Sequence, residues 1–302
     1  MKFLTTNAEI FEFYTTQGLF FDGRCPSCRK PMDLIRLYNS AQGTQEPVYY
    51  CKPEHIELKN RHCTIFHNMK INYTTFEKIF YFFISGFSTH QIQVILTPLE
   101  SRVPTTKTIK NLTKKFLKII HVYVQRSLVE MKLPGPVELD ESCLYRFRKN
   151  NMGRVAKTIY RVFGMKCRLT KQTIVYPVLY RTKKQLIPYI LLHVNHGATI
   201  YTDRFSSYFN NRVGPPASHL EIYGYRHIGI NHSIHFVSQI CRTIHINTVE
   251  RMWRSLKERF KYKKPRVHIT HHISQFMFES WVPQAERYQF MLRLIKHLKE
   301  ES

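Results

Sequence analysis

Aspartate is scarce in this chain, with only Asp22, Asp33, Asp140 and Asp203 in 302 residues. Acids of both kinds number 21 against 46 lysines and arginines, leaving a formal charge of +25. That imbalance excludes a charge-neutral surface and implies a polyanionic partner. The excess is heaviest in the C-terminal half. Long apolar runs are missing too. The longest, Ile79–Ile84, falls far short of the roughly 20 residues that cross a bilayer. The N-terminal stretch MKFLTTNAEIFEF turns polar too soon for a secretory leader. These absences give the expectation of a soluble intracellular protein without a membrane partner. Cysteines are few and mostly scattered, which in that setting excludes a disulfide scaffold. No repeat or low-complexity tract is visible.

The scarce acids are unevenly placed. Val137-Glu-Leu-Asp140 reads as a short strand ending in an acid, and Ala198–Asp203 as another. Between them, Ile159–Cys167 and Thr173–Tyr180 read as strands joined by a basic turn, and Lys183–His193 as a helix. Residues 210–240, rich in Asn, His, Gly and Pro, give no clear element. Then comes HINTVERMWRSLKERF, His245–Phe260, with Val249, Met252, Trp253, Leu256 and Phe260 at the spacing of one buried helical face. Two readings of Glu250 follow. With Asn247 as N-cap it fits a capping box; alternatively it is a third acid set beside Asp140 and Asp203. Segments Ile273–Trp281 and Tyr288–Leu298 read as helices that could pack on the sheet.

Three strands, a helix, a strand and further helices suggest an α+β or α/β domain over 134–302 with an RNase H-like core. In such a core the first and fourth strands are neighbours, so Asp140 and Asp203 face one another and a later helix delivers Glu250. Three clustered carboxylates repel unless divalent cations lie among them. Mg²⁺ or Mn²⁺ suits, and two such ions serve an in-line displacement at phosphorus. Glu141 is left out of the metal set, because neighbouring strand residues point to opposite faces.

Residues 1–70 read as a zinc ribbon. Cys25-Pro-Ser-Cys28 is a ligand pair, and Cys51 opens a second. The fourth Zn²⁺ ligand is His55, preferred because paired ligands close a ribbon more readily, or alternatively Cys63. Residues 71–133 read as helical. A helix capped by Thr74 or Thr75 ends at Gly86, Ser88 caps a second, and Pro104 opens a long third. This pattern fits a helix-turn-helix, with Lys107, Lys110, Lys114, Lys115 and Lys118 on the exposed face of the third helix as DNA-binding residues. Leu133-Pro-Gly-Pro136 marks the boundary to the last domain.

Val137–Ser142, Arg148–Arg154 and Val162–Gly164 together resemble the opening of the catalytic domain in the Merlin transposases and their bacterial insertion-sequence relatives. Thr199–Tyr208 resembles their second-aspartate block. Asn231–Ser233 and His245–Lys257 resemble the third-acid block. The N-terminal knuckle and Cys63–Phe66 extend the likeness over nearly the whole chain. Ser206-Ser207 and the Cys–His second pair depart from the family pattern.

The resemblance implies a cut-and-paste DNA transposase that binds terminal inverted repeats and joins DNA. Asp140, Asp203 and Glu250 hold the metals, His245 lines the site, and Lys257 holds phosphate. It also implies a homodimer or larger assembly on DNA, located in the nucleus of a eukaryotic host or otherwise in the cytoplasm or nucleoid. The other readings are a domesticated, catalytically silent DNA-binding protein and an RNase H-like nuclease without strand transfer.

Overall fold

The computed structural model describes residues 5–39, 43–146, 159–203, 207–210, 217–230, 246–260 and 269–300. In chain order the elements are α1 (Asn7–Thr16), β1 (Asp33–Asn39), β2 (Gln45–Cys51), β3 (Ile56–Lys59), α2 (Tyr73–Ile84), α3 (Thr89–Leu96), α4 (Thr106–Leu128), β4 (Val137–Arg146), β5 (Ile159–Cys167), β6 (Thr173–Val178), α5 (Lys183–His193), β7 (Thr199–Asp203), β8 (Phe209–Asn210), β9 (Ala217–Ser218), β10 (Arg226–Ile230), α6 (Asn247–Phe260), α7 (Ile269–Trp281) and α8 (Arg287–Glu300). They form a mixed α+β chain in two units, Met1–Ile120 with Val282–Ser302, and His121–Trp281.

In the first unit, β1, β2 and β3 form an antiparallel meander in that order. Glu46 of β2 is buried and accepts hydrogen bonds from Thr44 (2.9 Å), Tyr38 (2.9 Å), Tyr73 (3.0 Å) and Arg61 Nε (2.8 Å). Burial alone would raise its pKa, but Arg61 and the hydroxyls outweigh it, so the net shift is downward. This one carboxylate ties the meander to α2.

The cap of α2 is Asn72 rather than the threonines after it, its Oδ1 accepting from the Thr75 N–H at 2.7 Å. Ser88 caps α3 in a capping box with Gln91, as the sequence indicates. Phe76, Phe80 and Phe83 of α2 pack on Phe116 of α4 with ring centroids 5.2–5.8 Å apart. Glu77 accepts from Tyr14 of α1 and from Tyr288 of α8, the latter at 2.7 Å. The last helix thus joins α2, while α7 packs on β6.

The second unit is built on a five-stranded mixed sheet in the order β10-β7-β4-β5-β6. Strands β4, β7 and β10 run parallel, and β5 runs antiparallel to both of its neighbours. Strand β10 lies within the stretch the sequence left unassigned. Arg226-His-Ile-Gly-Ile230 has no clean alternation, because His227 is a buried polar residue. His227 bridges Thr202 Oγ1 (2.9 Å) and Ser218 Oγ (2.6 Å), and burial drives its pKa down to about 4, so it stays neutral at pH 7.

Alternation along the strands sends Phe163 and Tyr176 to the face where Tyr189 of α5 lies, and sends Glu138 and Asp140 to the face covered by α6. Glu138 is wholly buried. Its Oε1 accepts from Arg168 Nε at 2.7 Å, and its Oε2 accepts from the Val249 N–H at 2.8 Å. A carboxylate on the central strand thereby satisfies one of the open N–H groups at the start of α6 and sits at the favourable end of the helix dipole. The Arg168 guanidinium lies 4.0 Å from the centre of the Tyr201 ring.

Removing Glu138 would strand a largely buried arginine and uncap α6. Glu138→Ala is expected to lower the unfolding free energy by about 3 kcal/mol in a denaturant titration, with Glu138→Gln intermediate. A loss under about 0.5 kcal/mol would show that this carboxylate does not anchor the helix.

Candidate functional site

Strands β4 and β7 pair with Val137 against Ile200 and Glu138 against Tyr201. The same offset carried to the end of β7 sets Asp140 level with Asp203; β4 itself runs on to Arg146, so Asp140 lies in mid-strand and not at the strand end that the sequence suggests, because the β5 partner continues the ladder past it. The two are close enough that the charge of Asp203 acts on Asp140. Burial, then the charges of Glu141 and Asp203, push the Asp140 carboxyl up from its ordinary 3.8 to about 7. Two donors work against that rise: the Glu141 backbone N–H at 2.8 Å and the Trp253 indole N–H at 2.9 Å. No ion pair reaches Asp140 among the described residues.

Trp253 reaches Asp140 because of a glycine. Gly164 of β5 lies directly opposite Asp140 in the ladder. A Cβ at position 164 would stand 2.6 Å from the indole ring and 2.7 Å from Met252, far inside contact distance. The bare backbone is the floor on which the ring lies.

Helix α6 is fixed to β4 at two points, Val249 on Glu138 and Trp253 on Asp140. Glu250 falls between them, in the first turn, with its carboxylate exposed and engaged by no hydrogen bond or ion pair among the described residues. The helix begins at Asn247, with the Glu250 N–H on the Ile246 carbonyl, so Glu250 does not close a capping box on Asn247. The cap comes from Glu138 instead. Lys257 is exposed two turns further along. His245 lies outside the described residues, as does Ser206.

Glu141 points to the other face, as strand alternation requires. It is buried and accepts from Arg181 Nε (2.9 Å) and Nη2 (2.8 Å) and from the Tyr208 hydroxyl. Burial raises the pKa of Glu141, with Tyr208 and Arg181 opposing the rise. The fields of Arg181 and Tyr208 reach Asp140 and Asp203 as well. Sequence reasoning missed Glu138, Gly164, Trp253, Arg181 and Tyr208 as builders of this site. Trp253 alone carried a signal, since it shares the apolar face of α6 one turn past Glu250.

In the first unit, the Sγ atoms of Cys25, Cys28 and Cys51 lie within 4.8 Å of one another, and those of Cys28 and Cys51 are 3.5 Å apart. Three thiols meeting at that spacing could hold a metal such as zinc, whose tetrahedral thiolate sites have edges of about 3.8 Å for bonds of ~2.3 Å. Neither expected fourth ligand joins them. The His55 ring meets the Tyr50 hydroxyl at 3.0 Å, and Cys63 is exposed.

On α4, Lys107, Lys110, Lys114 and Lys118 are exposed and fall within an arc of about 80° at 100° per residue. Lys115 lies off this stripe and donates to the Ile65 carbonyl at 3.2 Å. The tight turn 85–88 joins α2 to α3, and the longer connection 97–105 leads into α4.

No family model and no curated protein matches the chain. A solved structure described as a simian T-cell lymphotropic virus intasome in complex with PP2A regulatory subunit B56 gamma is similar to it at 11% identity, covering 67% of each chain, with a TM-score of 0.31. Neither fold nor function transfers at that score. No helix among the described residues is long and apolar enough to cross a membrane.

The raised pKa of Asp140 has a definite consequence for stability. A carboxyl whose pKa is higher folded than unfolded contributes stability below its unfolded value and loses it as pH rises through the folded value. Asp140→Asn should therefore gain in melting temperature over the wild type as pH is taken from about 4 to 8 in magnesium-free buffer. A constant offset would mean that Asp140 titrates normally. Trp253→Phe removes a donor to the ionised form, so a carboxyl NMR titration should place the Asp140 pKa above about 7; an unchanged pKa would show that the indole does not act on the acid.

Proposed function

We propose that this chain is a Merlin-type DDE transposase with an RNase H-like catalytic core, a zinc-ribbon-like N-terminal region and a helical DNA-binding region. The reading is supported by the parallel pairing of β4 with β7, whose offset would bring Asp140 level with Asp203, and by a helix held to β4 that carries Glu250 in its first turn. Counted from β4, the strands lie in the order third, second, first, fourth, fifth, as an RNase H-like core has them. The basic excess of the chain and the exposed lysine stripe on α4 agree with a DNA partner.

Asp140, Asp203 and Glu250 would hold divalent cations; the donor types suit them, and the three carboxylates would have to draw together around the ions, since they do not form one ligand group among the described residues. These are hard oxygen ligands, and Asp140 is deprived of a cationic side chain while being crowded by other acids. Mg²⁺ or Mn²⁺, when bound, activates the attacking oxygen and neutralises charge on the leaving 3′-oxygen. Trp253 orients Asp140 by holding Oδ2, while Oδ1 rests on the Glu141 backbone N–H. Arg181 keeps Glu141 neutralised on the opposite face, so that the extra acid does not compete for the cation. Lys257, exposed two turns beyond Glu250, is placed for a phosphate of the strand. The three thiols hold a structural zinc, and two copies of the chain pair two transposon ends.

The test is strand transfer on a duplex carrying the inverted repeat that flanks the gene, with Mg²⁺. Wild type is expected to cut and join, and Asp203→Asn to lose at least about 10³-fold in rate while still binding the duplex. Binding without cutting or joining, in Mg²⁺ and Mn²⁺ alike, would replace this reading with a silent DNA-binding protein. Cutting without joining would point to a nuclease.

A further inference from the structure

Two tight turns close on the thiols of the first unit, and they are built alike. The first is Cys25-Pro26-Ser27-Cys28-Arg29, and the second is Cys51-Lys52-Pro53-Glu54-His55. In the first, Cys28 follows Cys25 by three residues, and the Arg29 N–H closes the turn on the Cys25 carbonyl at 2.8 Å. In the second, Glu54 follows Cys51 by the same three residues. The next residue in each turn is left-handed, Arg29 at φ 59° and His55 at φ 54°. Position for position, His55 corresponds to Arg29, the residue that turns the chain away from the metal. Glu54 corresponds to Cys28, a ligand.

We propose that Glu54 supplies the fourth ligand of a zinc site completed by Cys25, Cys28 and Cys51. The inference rests on the three-thiolate reading given above and replaces His55 and Cys63 in it. His55 is turned to Tyr50 by its left-handed backbone, and Cys63 is exposed outside the thiol group. The Glu54 side chain is exposed, which leaves its carboxylate free to swing onto an ion held by the sulfurs. A carboxylate oxygen is a harder and weaker zinc ligand than a thiolate, so this site is looser than one of four thiolates.

The experiment is titration of the reduced full-length protein with cobalt(II) and then zinc, read by cobalt d–d absorption and by competition with a chromophoric chelator. One thiolate-bound metal per chain is expected, read by its cobalt–thiolate absorption and lost in Cys51→Ser. Glu54→Ala should weaken zinc binding about tenfold or more, while His55→Ala and Cys63→Ser stay near wild type. Glu54→Cys should bind more tightly and shift the cobalt spectrum to that of four thiolates.

Unchanged affinity in Glu54→Ala, with binding still lost in Cys51→Ser, overturns the assignment of Glu54 and leaves the three thiolates standing. A tenfold loss in His55→Ala or Cys63→Ser would give the place to that residue. A wild-type protein that takes up no cobalt overturns the thiolate site and the fourth ligand together.

Discussion

Strand β4 carries three acids within four residues, Glu138, Asp140 and Glu141, on the central strand of a sheet covered on both faces. A buried carboxylate is tolerated only where something offsets the loss of its hydration. Two of the three are answered by arginine: Glu138 by Arg168, with the start of α6 added, and Glu141 by Arg181, with Tyr208 added. Asp140 is answered by one indole N–H and one backbone N–H, and it faces a further aspartate across the strand gap. The fold neutralises the acids that build it and leaves Asp140, in the middle of β4, without an arginine of its own.

That asymmetry links stability to the proposed chemistry. The bond from Val249 to Glu138 sets the height of α6 above the sheet, and the bond from Trp253 to Asp140 sets its rotation. Glu250 lies between the two contacts, so its place follows from groups that need not touch a substrate. Gly164 belongs to the same arrangement, because any side chain there would lift the indole and with it the helix.

Much of this was legible in the sequence wherever periodicity was strong. The apolar spacing of α6 places Val249, Met252, Trp253, Leu256 and Phe260 in the core, where they are buried. Strand β5 and helix α5 have the bounds that their composition indicates. Strand β7 ends at Asp203 as its sequence suggests, whereas β4 continues six residues past Asp140, since its tail is held by β5. Other parts depend on long-range partners that no local pattern carries. Strand β10 is read as a strand only once Thr202 and Ser218 account for His227. Strand β1 exposes Leu34, Ile35 and Leu37, so its alternation is lost. The cap of α6 comes from an acid more than a hundred residues earlier in the chain, whereas Asn247 and Glu250 spell a local capping box that does not form. His55 looked like a ligand because histidine is a common one, but its backbone conformation points it elsewhere.

The central claim is that Asp140 and Asp203 form a divalent-cation site. It is tested most directly by calorimetric titration of Mn²⁺ into the wild type and into Asp203→Asn at about pH 8, where Asp140 is ionised, with Asp33→Asn as a surface control. The account predicts saturable binding in the wild type and the control, and at least about a tenfold loss in Asp203→Asn. Equal affinity in all three proteins would contradict it.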